Sequence, residues 1–364
     1  MKLWQIVVLM LAGIAFGIAE PGKLTYAFGQ STLYVLLPAL LFEGAWNLRW
    51  GAIKRGWRAI ATLAIPGVLL TALLIAGALA VVHVPLGTGL LAGAILSATD
   101  PIAVIAVFRR MRVPALLATI VECESLFNDA VAVALYRAVL VVAAASAVHA
   151  EAVAQVAAVA ILGAFGGILI GIALGFAAAA ALRNRNDGAL QMAVTLVCAY
   201  GSYFLADRLA CSGIFATIAG GIAMRYFERR WISLTVAENV HQFWDVIALG
   251  ANAVVFFLVG AALNIVAVLR DPAFVLATLA GVAVARLAVS GLLLPSGYPR
   301  EWLDVVRVAG MRGALSLALA VSLPSAIADR DAIVDATFVV AIATIVSAGL
   351  TVPPVVARVA RRRQ

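Results

Sequence analysis

The sequence predicts an all-α polytopic membrane protein of about twelve transmembrane helices, and three observations support this fold class. The chain is 65% hydrophobic and only 12% charged, whereas a soluble domain carries about 25% charged residues. Apolar segments recur along almost the whole chain, and each is about long enough to cross a bilayer as a helix, which takes roughly 20 residues. Basic residues concentrate in alternate connections between these segments, which is typical of cytoplasmic loops.

Taken in order, the apolar segments set the predicted spans. The first segment lacks a small-residue cleavage site, so we interpret it as a span and not as a signal peptide. Since no polar interruption exceeds a few residues, we predict one transmembrane domain over 1–364 and no soluble domain. The spans are predicted near 3–20, 30–48, 59–82, 88–108, 117–147, 152–182, 188–207, 211–227, 238–264, 272–294, 301–325 and 335–358.

Positive charge orients these spans. Lys54, Arg55 and Arg58 follow the second span, and Arg358 and Arg361 follow the last one. The positive-inside rule therefore predicts that both termini are cytoplasmic. The net charge of +8 is explained by this topology and does not indicate nucleic-acid binding, because no basic face with interleaved aromatic residues is present.

Two spans are interrupted at comparable places in the two halves of the chain. In span 4, Pro101 follows Asp100, and because proline lacks an N–H the helix should break there and release backbone carbonyls. In span 11, Arg312 lies between Gly310 and Gly313. Paired interruptions of this kind are typical of inverted repeats, in which unwound backbone helps to bind a cation.

The fifth span carries the residues with the clearest chemistry. Ser125 and Asp129 are four residues apart and share one helix face, while Glu124 and Asn128 share the adjacent face. Oxygen donors such as Asp129, Ser125 and the backbone of Thr99 suit a hard cation. Desolvation penalises a charged carboxylate inside the membrane, so a proton and a cation should compete for Asp129.

Other ionisable residues in apolar sequence leave alternatives open. Asp100 contributes to the ion site, caps the half-helix that follows it, or does both. Glu43 either lines an ion pathway or is solvated at the interface. Arg286 needs an anionic partner, for which Glu124 is the candidate, and Arg312 is expected to satisfy carbonyls of its own broken span. His83, His149 and His241 show no metal-ligand spacing, so we predict a transporter and not an enzyme.

These motifs resemble those of the monovalent cation/proton antiporter family, specifically its electroneutral, NhaP-like Na+/H+ exchanger branch. The resemblance covers most of the chain. It rests on Ser-Ala-Thr-Asp-Pro at 97–101, Glu-Cys-Glu-Ser-Leu-Phe-Asn-Asp at 122–129, Leu-Leu-Phe-Glu-Gly at 40–44 and Met-Arg-Gly-Ala-Leu-Ser-Leu-Ala-Leu at 311–319.

The resemblance implies a homodimer with alternating access, in which spans 4 and 11 are crossed and partly unwound. It implies core helices near 88–147 and 272–358, with the remaining spans partly forming a dimerisation region. It also assigns roles to single residues. Asp129 is the ion- and proton-binding carboxylate, and Asn128 replaces a second aspartate of electrogenic relatives. Glu124 and Arg286 form a buried ion pair, while Pro101 and Arg312 support the helix breaks. The ion site or its surroundings also include Ser125, Thr99, Asp100 and Glu43.

The expected activity is exchange of Na+, Li+ or K+ for H+ across the inner membrane, without a cofactor or nucleic acid. The alternatives are a passive cation channel, for which the sequence shows no filter motif, and a sodium-coupled carrier of an organic solute. Compared with the family, the sequence lacks an extra N-terminal helix found in many relatives and a cytoplasmic tail. We therefore expect no tail-based regulation.

Overall fold

A computed structural model describes residues 3–20, 30–111, 113–144, 150–183, 185, 187–231, 234–262, 271–327 and 329–361. Every regular element in these residues is a helix. In chain order they are α1 (Leu3–Ala19), α2 (Gln30–Asn47), α3 (Trp50–Val81), α4 (Leu86–Ser97), α5 (Ile102–Met111), α6 (Ala115–Ala144), α7 (Ala150–Ala181), α8 (Gly188–Arg208), α9 (Gly213–Trp231), α10 (Leu234–Ala262), α11 (Pro272–Leu293), α12 (Arg300–Val308), α13 (Ala314–Val321) and α14 (Arg330–Arg361).

The helices have the lengths and compositions of membrane spans. Seven of the described helices, namely α3, α6, α7, α8, α10, α11 and α14, contain stretches long and apolar enough to cross a bilayer. Shorter apolar helices include α1, α4 and α9. The chain is therefore a polytopic α-helical membrane protein. Both chain ends, at 1–2 and 362–364, lie outside the described residues, as do the predicted span ends at 145–147 and 263–264 and His149.

The predicted boundaries of two helices were wrong. The third helix begins at Trp50, not near 59, so Lys54, Arg55 and Arg58 lie in its first turns and not in a loop. The last helix extends from Arg330 to Arg361 and exceeds the predicted 335–358 at both ends. Hydropathy marks where an apolar segment stops, whereas a helix continues wherever its backbone hydrogen bonds can still form, including at headgroup depth.

The chain divides into two compact units. The first unit comprises Met1–Ser31, Gly51–Ala144 and Ala253–Gln364, and the second comprises Thr32–Trp50 and Ala145–Asn252. In the first unit, α3 and α4 approach closely because Gly93 has no side chain: a Cβ there would overlap the backbone of Ala72. Such close approach through small residues is typical of helix pairs in membranes.

The second unit is built around two kinds of contact. Helices α7 and α9 pack through glycine, and a Cβ at Gly171 would overlap the backbone of Ala216. Beside this pair, Phe42 of α2 packs against Trp244 of α10 with ring centroids 4.7 Å apart. The indole N–H of Trp244 donates to Thr195 Oγ1 of α8 at 3.1 Å, so the buried ring keeps a polar partner.

Candidate functional site

Two helix interruptions meet in the first unit. Helix α4 ends at Ser97 and α5 begins at Ile102, with Pro101 between them, while α12 ends at Val308 and α13 begins at Ala314. The two unwound segments are joined by a hydrogen bond from the N–H of Asp100 to the carbonyl of Met311 at 2.9 Å. Each break therefore supplies a backbone partner that the other break needs.

Arg312 faces the interruption of the fourth span. It is only 2% exposed, and its Nη1 donates to the carbonyl of Ala98 at 3.5 Å. The hydroxyl of Ser316 donates to the same carbonyl at 3.2 Å. We expected Arg312 to satisfy carbonyls of its own broken span, and its position corrects that expectation. Because its side chain extends towards the end of α4, its charge complements the negative end of that half-helix.

Arg286 occupies the corresponding position at the end of α12. Its Nη1 lies 2.7 Å from Glu124 Oε1 in α6, and the two side chains are 12% and 4% exposed. The same guanidinium donates to the carbonyls of Val306 and Arg307 in the last turn of α12. The guanidinium therefore compensates both the charge of the Glu124 carboxylate and the partial negative charge at the end of α12, which allows both to be buried.

The carboxylate of Asp100 lies at the start of the other half-helix. A Cβ at Gly313, which precedes α13, would overlap the Asp100 side chain. The N-terminal end of a helix carries partial positive charge and attracts anions. The half-helix that Asp100 approaches is therefore α13, in addition to α5, which follows Asp100 in the chain.

The fifth predicted span, α6, contacts the unwound residue Thr99 at two points. The hydroxyl of Ser125 donates to the carbonyl of Thr99. Asn128 donates from Nδ2 to Thr99 Oγ1 at 2.7 Å and accepts at Oδ1 from the N–H of Thr99 at 3.4 Å. Donation uses the hydroxyl proton of Ser125 and not the lone pairs of its oxygen, whereas both polar atoms of the Asn128 amide hold the unwound segment.

Asp129 lies next to these contacts. Its Oδ1 atom is buried and has no hydrogen-bond partner among the described residues. The side chain interacts with the backbone of Thr99, and Asp100, Glu124 and Arg312 are near enough for their charges to act on it. A buried carboxylate oxygen without a partner is costly, so this atom is a natural place for a proton or a cation to bind.

The structure thus brings Thr99, Asp100, Ser125, Asn128 and Asp129 together in one unit. Glu43 belongs to the second unit, where its Oε1 accepts a hydrogen bond from Asn47 at 2.6 Å. No group of three His, Cys, Asp or Glu side chains able to hold a metal ion occurs within the described part of the chain. Of the five residues brought together, Asp100 and Asp129 carry carboxylates, and the others carry hydroxyl or amide oxygens.

Two residues of this region were missed by sequence reasoning. Ser316 lies in the motif at 311–319, and its hydroxyl in an otherwise apolar half-helix was the available signal. Thr344 of α14 accepts a hydrogen bond from the N–H of Arg312 at 3.0 Å. Nothing in the sequence marks Thr344 as a partner of Arg312, because threonine is common in membrane helices and often forms hydrogen bonds only within its own helix.

Comparisons with known proteins agree with this architecture. The profile of the family described as "Sodium/hydrogen exchanger, transmembrane" matches residues 1–358. The Synechocystis sp. protein named low-affinity Na(+)/H(+) antiporter NhaS1 is 31% identical over 363 residues, which cover 96% of this chain and 68% of that protein. The Na(+)/H(+) antiporter ApNhaP of Aphanothece halophytica is also 31% identical, with the same two coverages.

The fold is also similar to that of a solved structure. The sodium proton antiporter MjNhaP1 from Methanocaldococcus jannaschii at pH 8 superposes with a TM-score of 0.78 and 23% sequence identity, covering 98% of this chain and 92% of that one. This likeness concerns the fold. Taken with the profile match over nearly the whole chain, it shows that the protein belongs to the transmembrane sodium/hydrogen exchanger family.

Proposed function

We propose that this protein exchanges Na+, Li+ or K+ for H+ across the membrane by letting the cation and the proton compete for Asp129. The observation that carries the proposal is the buried Oδ1 atom of Asp129, which has no hydrogen-bond partner among the described residues and lies where the two helix interruptions meet. The names of the two relatives, both Na(+)/H(+) antiporters, support the same activity.

The proposed chemistry uses one carboxylate and neutral oxygens. A cation would be held by Asp129 with the hydroxyl of Ser125 and the backbone of Thr99, all of which are hard oxygen ligands. Asn128 adds no charge, so one proton and one monovalent cation each neutralise the same single site. Exchange is then one for one and electroneutral. A resident cofactor has no part in this scheme, and neither has an enzymatic reaction.

The proposed architecture has twelve spans in an inverted repeat, with spans 4 and 11 crossing at their unwound segments. The bridge between Asp100 and Met311 and the arginine at each half-helix end support this arrangement. We further propose that both termini are cytoplasmic, that the protein lies in the inner membrane with lipid around it, and that it forms a homodimer. Alternating access would then expose Asp129 to one side of the membrane at a time.

The test is exchange by purified protein in liposomes. An imposed pH gradient, followed by a fluorescent dye whose quenching reports internal acidity, should collapse when Na+ or Li+ is added outside. Raising the proton concentration should raise the cation concentration needed for half-maximal exchange, because both ligands compete for one carboxylate. A flux that does not saturate, or that proceeds without a pH change, would instead indicate a channel; dependence on an added organic solute would indicate a carrier.

A second prediction concerns the neutral residue beside the site. Asn128→Asp removes the donor to Thr99 Oγ1 and adds a buried charge next to Asp129. Because a lost hydrogen bond to a buried group costs about 1–3 kcal/mol, we expect both lower thermal stability and slower exchange. The measurements are unfolding temperature in detergent and exchange rate in liposomes. Asn239→Asp, at an exposed position of α10, is the control for an added carboxylate, and equal behaviour of the two variants would contradict a special role of Asn128.

A further inference from the structure

Tyr136 lies on the face of α6 that carries Asp129. The two residues are seven positions apart, which is about two helical turns or 10 Å along the helix. Val133 lies between them on the same face, and Val133 and Tyr136 are 9% and 5% exposed. A buried phenol in an apolar helix needs a hydrogen-bond partner for its hydroxyl, and the identity of that partner links α6 to another element.

The partner is Ser322, the residue that directly follows α13. The hydroxyl oxygens of Tyr136 and Ser322 are 3.1 Å apart. Ser322 donates its only hydroxyl proton to the carbonyl of Leu319 at 2.8 Å. Because this proton is already used, we assign Tyr136 as the donor in the contact with Ser322.

The end of α13 is itself held in place by α14. Arg330, the first residue of α14, donates from Nε to the carbonyl of Leu323 at 2.9 Å and from Nη2 to the carbonyl of Val321 at 3.3 Å. These contacts fix the segment around Ser322 to α14. The Tyr136 hydroxyl consequently ties α6, which carries Asp129, to a separately anchored pair of elements.

We propose that the hydrogen bond between Tyr136 and Ser322 is an outer latch, which closes the path from Asp129 to the membrane face where α13 ends. The latch must break before an ion from that face can reach Asp129. The inference rests on the exchange activity proposed above and adds Tyr136 and Ser322 as positioning residues. With cytoplasmic termini, the face in question is the extracellular one.

Removing one neutral hydrogen bond changes an open-to-closed equilibrium by about threefold to tenfold. Tyr136→Phe keeps the ring and removes only the hydroxyl, and Ser322→Ala removes its acceptor. Tyr200→Phe is the matched control, because the Tyr200 hydroxyl donates to the Val35 carbonyl at 2.6 Å in the second unit. If one hydrogen bond is responsible, the double variant should not exceed either single variant.

The experiment measures from which face Val133 can be reached. In a chain with Val133→Cys and the three native cysteines changed to alanine, a charged, membrane-impermeant maleimide is applied to intact cells and, separately, to inside-out vesicles. Tyr136→Phe and Ser322→Ala should each raise the labelling rate in intact cells by about threefold to tenfold, and Tyr200→Phe should leave it unchanged. Unchanged labelling in both latch variants would overturn the proposal.

Exchange kinetics in the chain with its native cysteines give a second readout. Shifting the equilibrium towards the outward-open state should lower the Na+ concentration for half-maximal exchange on the outer face and raise it on the inner face. A purely structural role would reduce the rate from both faces alike, and that result would also contradict the latch. If the unmodified chain shows no exchange while the labelling rates still respond, the proposed function fails and the latch stands.

Discussion

Asp129→Asn is expected to reduce cation/proton exchange to the level of protein-free liposomes while the protein remains folded. Asparagine has nearly the same size as aspartate but carries no charge and does not exchange a proton. Since Asp129 Oδ1 has no hydrogen-bond partner among the described residues, its loss breaks no contact of that atom. Replacing the buried carboxylate by a neutral group also removes the free-energy cost of desolvating its charge. The unfolding temperature without cation should therefore not fall.

The effect of Na+ on the unfolding temperature provides a second test of cation binding at Asp129. A ligand that binds only the folded state raises its stability as the ligand concentration increases. Added Na+ should therefore raise the unfolding temperature of the unmodified protein and leave that of Asp129→Asn unchanged. Asp245→Asn is the control, because Asp245 is 38% exposed and contacts His241 on the same helix. Retained exchange in Asp129→Asn would refute the mechanism.

Breaking the ion pair between Glu124 and Arg286 is expected to destabilise the protein strongly. Arg286→Ala leaves a nearly buried carboxylate without its cation and leaves the carbonyls at the end of α12 without their donor. Losing one member of a buried ion pair costs about 3–5 kcal/mol. We expect a large fall in the unfolding temperature for Arg286→Ala and for Glu124→Gln, measured by tryptophan fluorescence in detergent.

Arg307 offers a matched control for this pair. It forms an ion pair with Asp304 at 3.2 Å, but the two side chains are 40% and 53% exposed. Exposed pairs contribute about 0–1 kcal/mol, and Arg307 Nε also donates to Ser290 Oγ at 3.2 Å, so Arg307→Ala should lower the unfolding temperature much less than Arg286→Ala. The double variant Glu124→Gln with Arg286→Met should recover part of the stability that either change alone removes. An equal fall in the unfolding temperature for Arg286→Ala and Arg307→Ala would contradict a special contribution of the buried pair.

Much of the site could be predicted from local sequence, because local rules determine it. Proline has no N–H, so an interruption beside Pro101 follows from its chemistry. Helical periodicity alone puts Ser125 and Asp129 on one face. An arginine in an apolar segment needs an anion, and Glu124 was the available candidate for Arg286.

The remaining contacts depend on register between distant segments, which the sequence does not specify. Arg312 and Ser316 both donate to Ala98, more than 200 positions away, and no pattern within either segment identifies that carbonyl. Similarly, Arg286 reaches two carbonyls of α12 in addition to Glu124, and backbone carbonyls are identical at every position. Residue types indicate that a partner is required, whereas only three-dimensional packing decides which partner is used.

The mutual dependence of the two interruptions also constrains the order in which the protein can be completed during synthesis. The N–H of Asp100 and the carbonyl of Ala98 find their partners at Met311, Arg312 and Ser316. When residues 86–111 leave the ribosome, those partners have not yet been made. The N–H of Asp100 and the carbonyl of Ala98 therefore lack these partners until the eleventh predicted span has been synthesised, although an unpaired backbone group is costly in lipid.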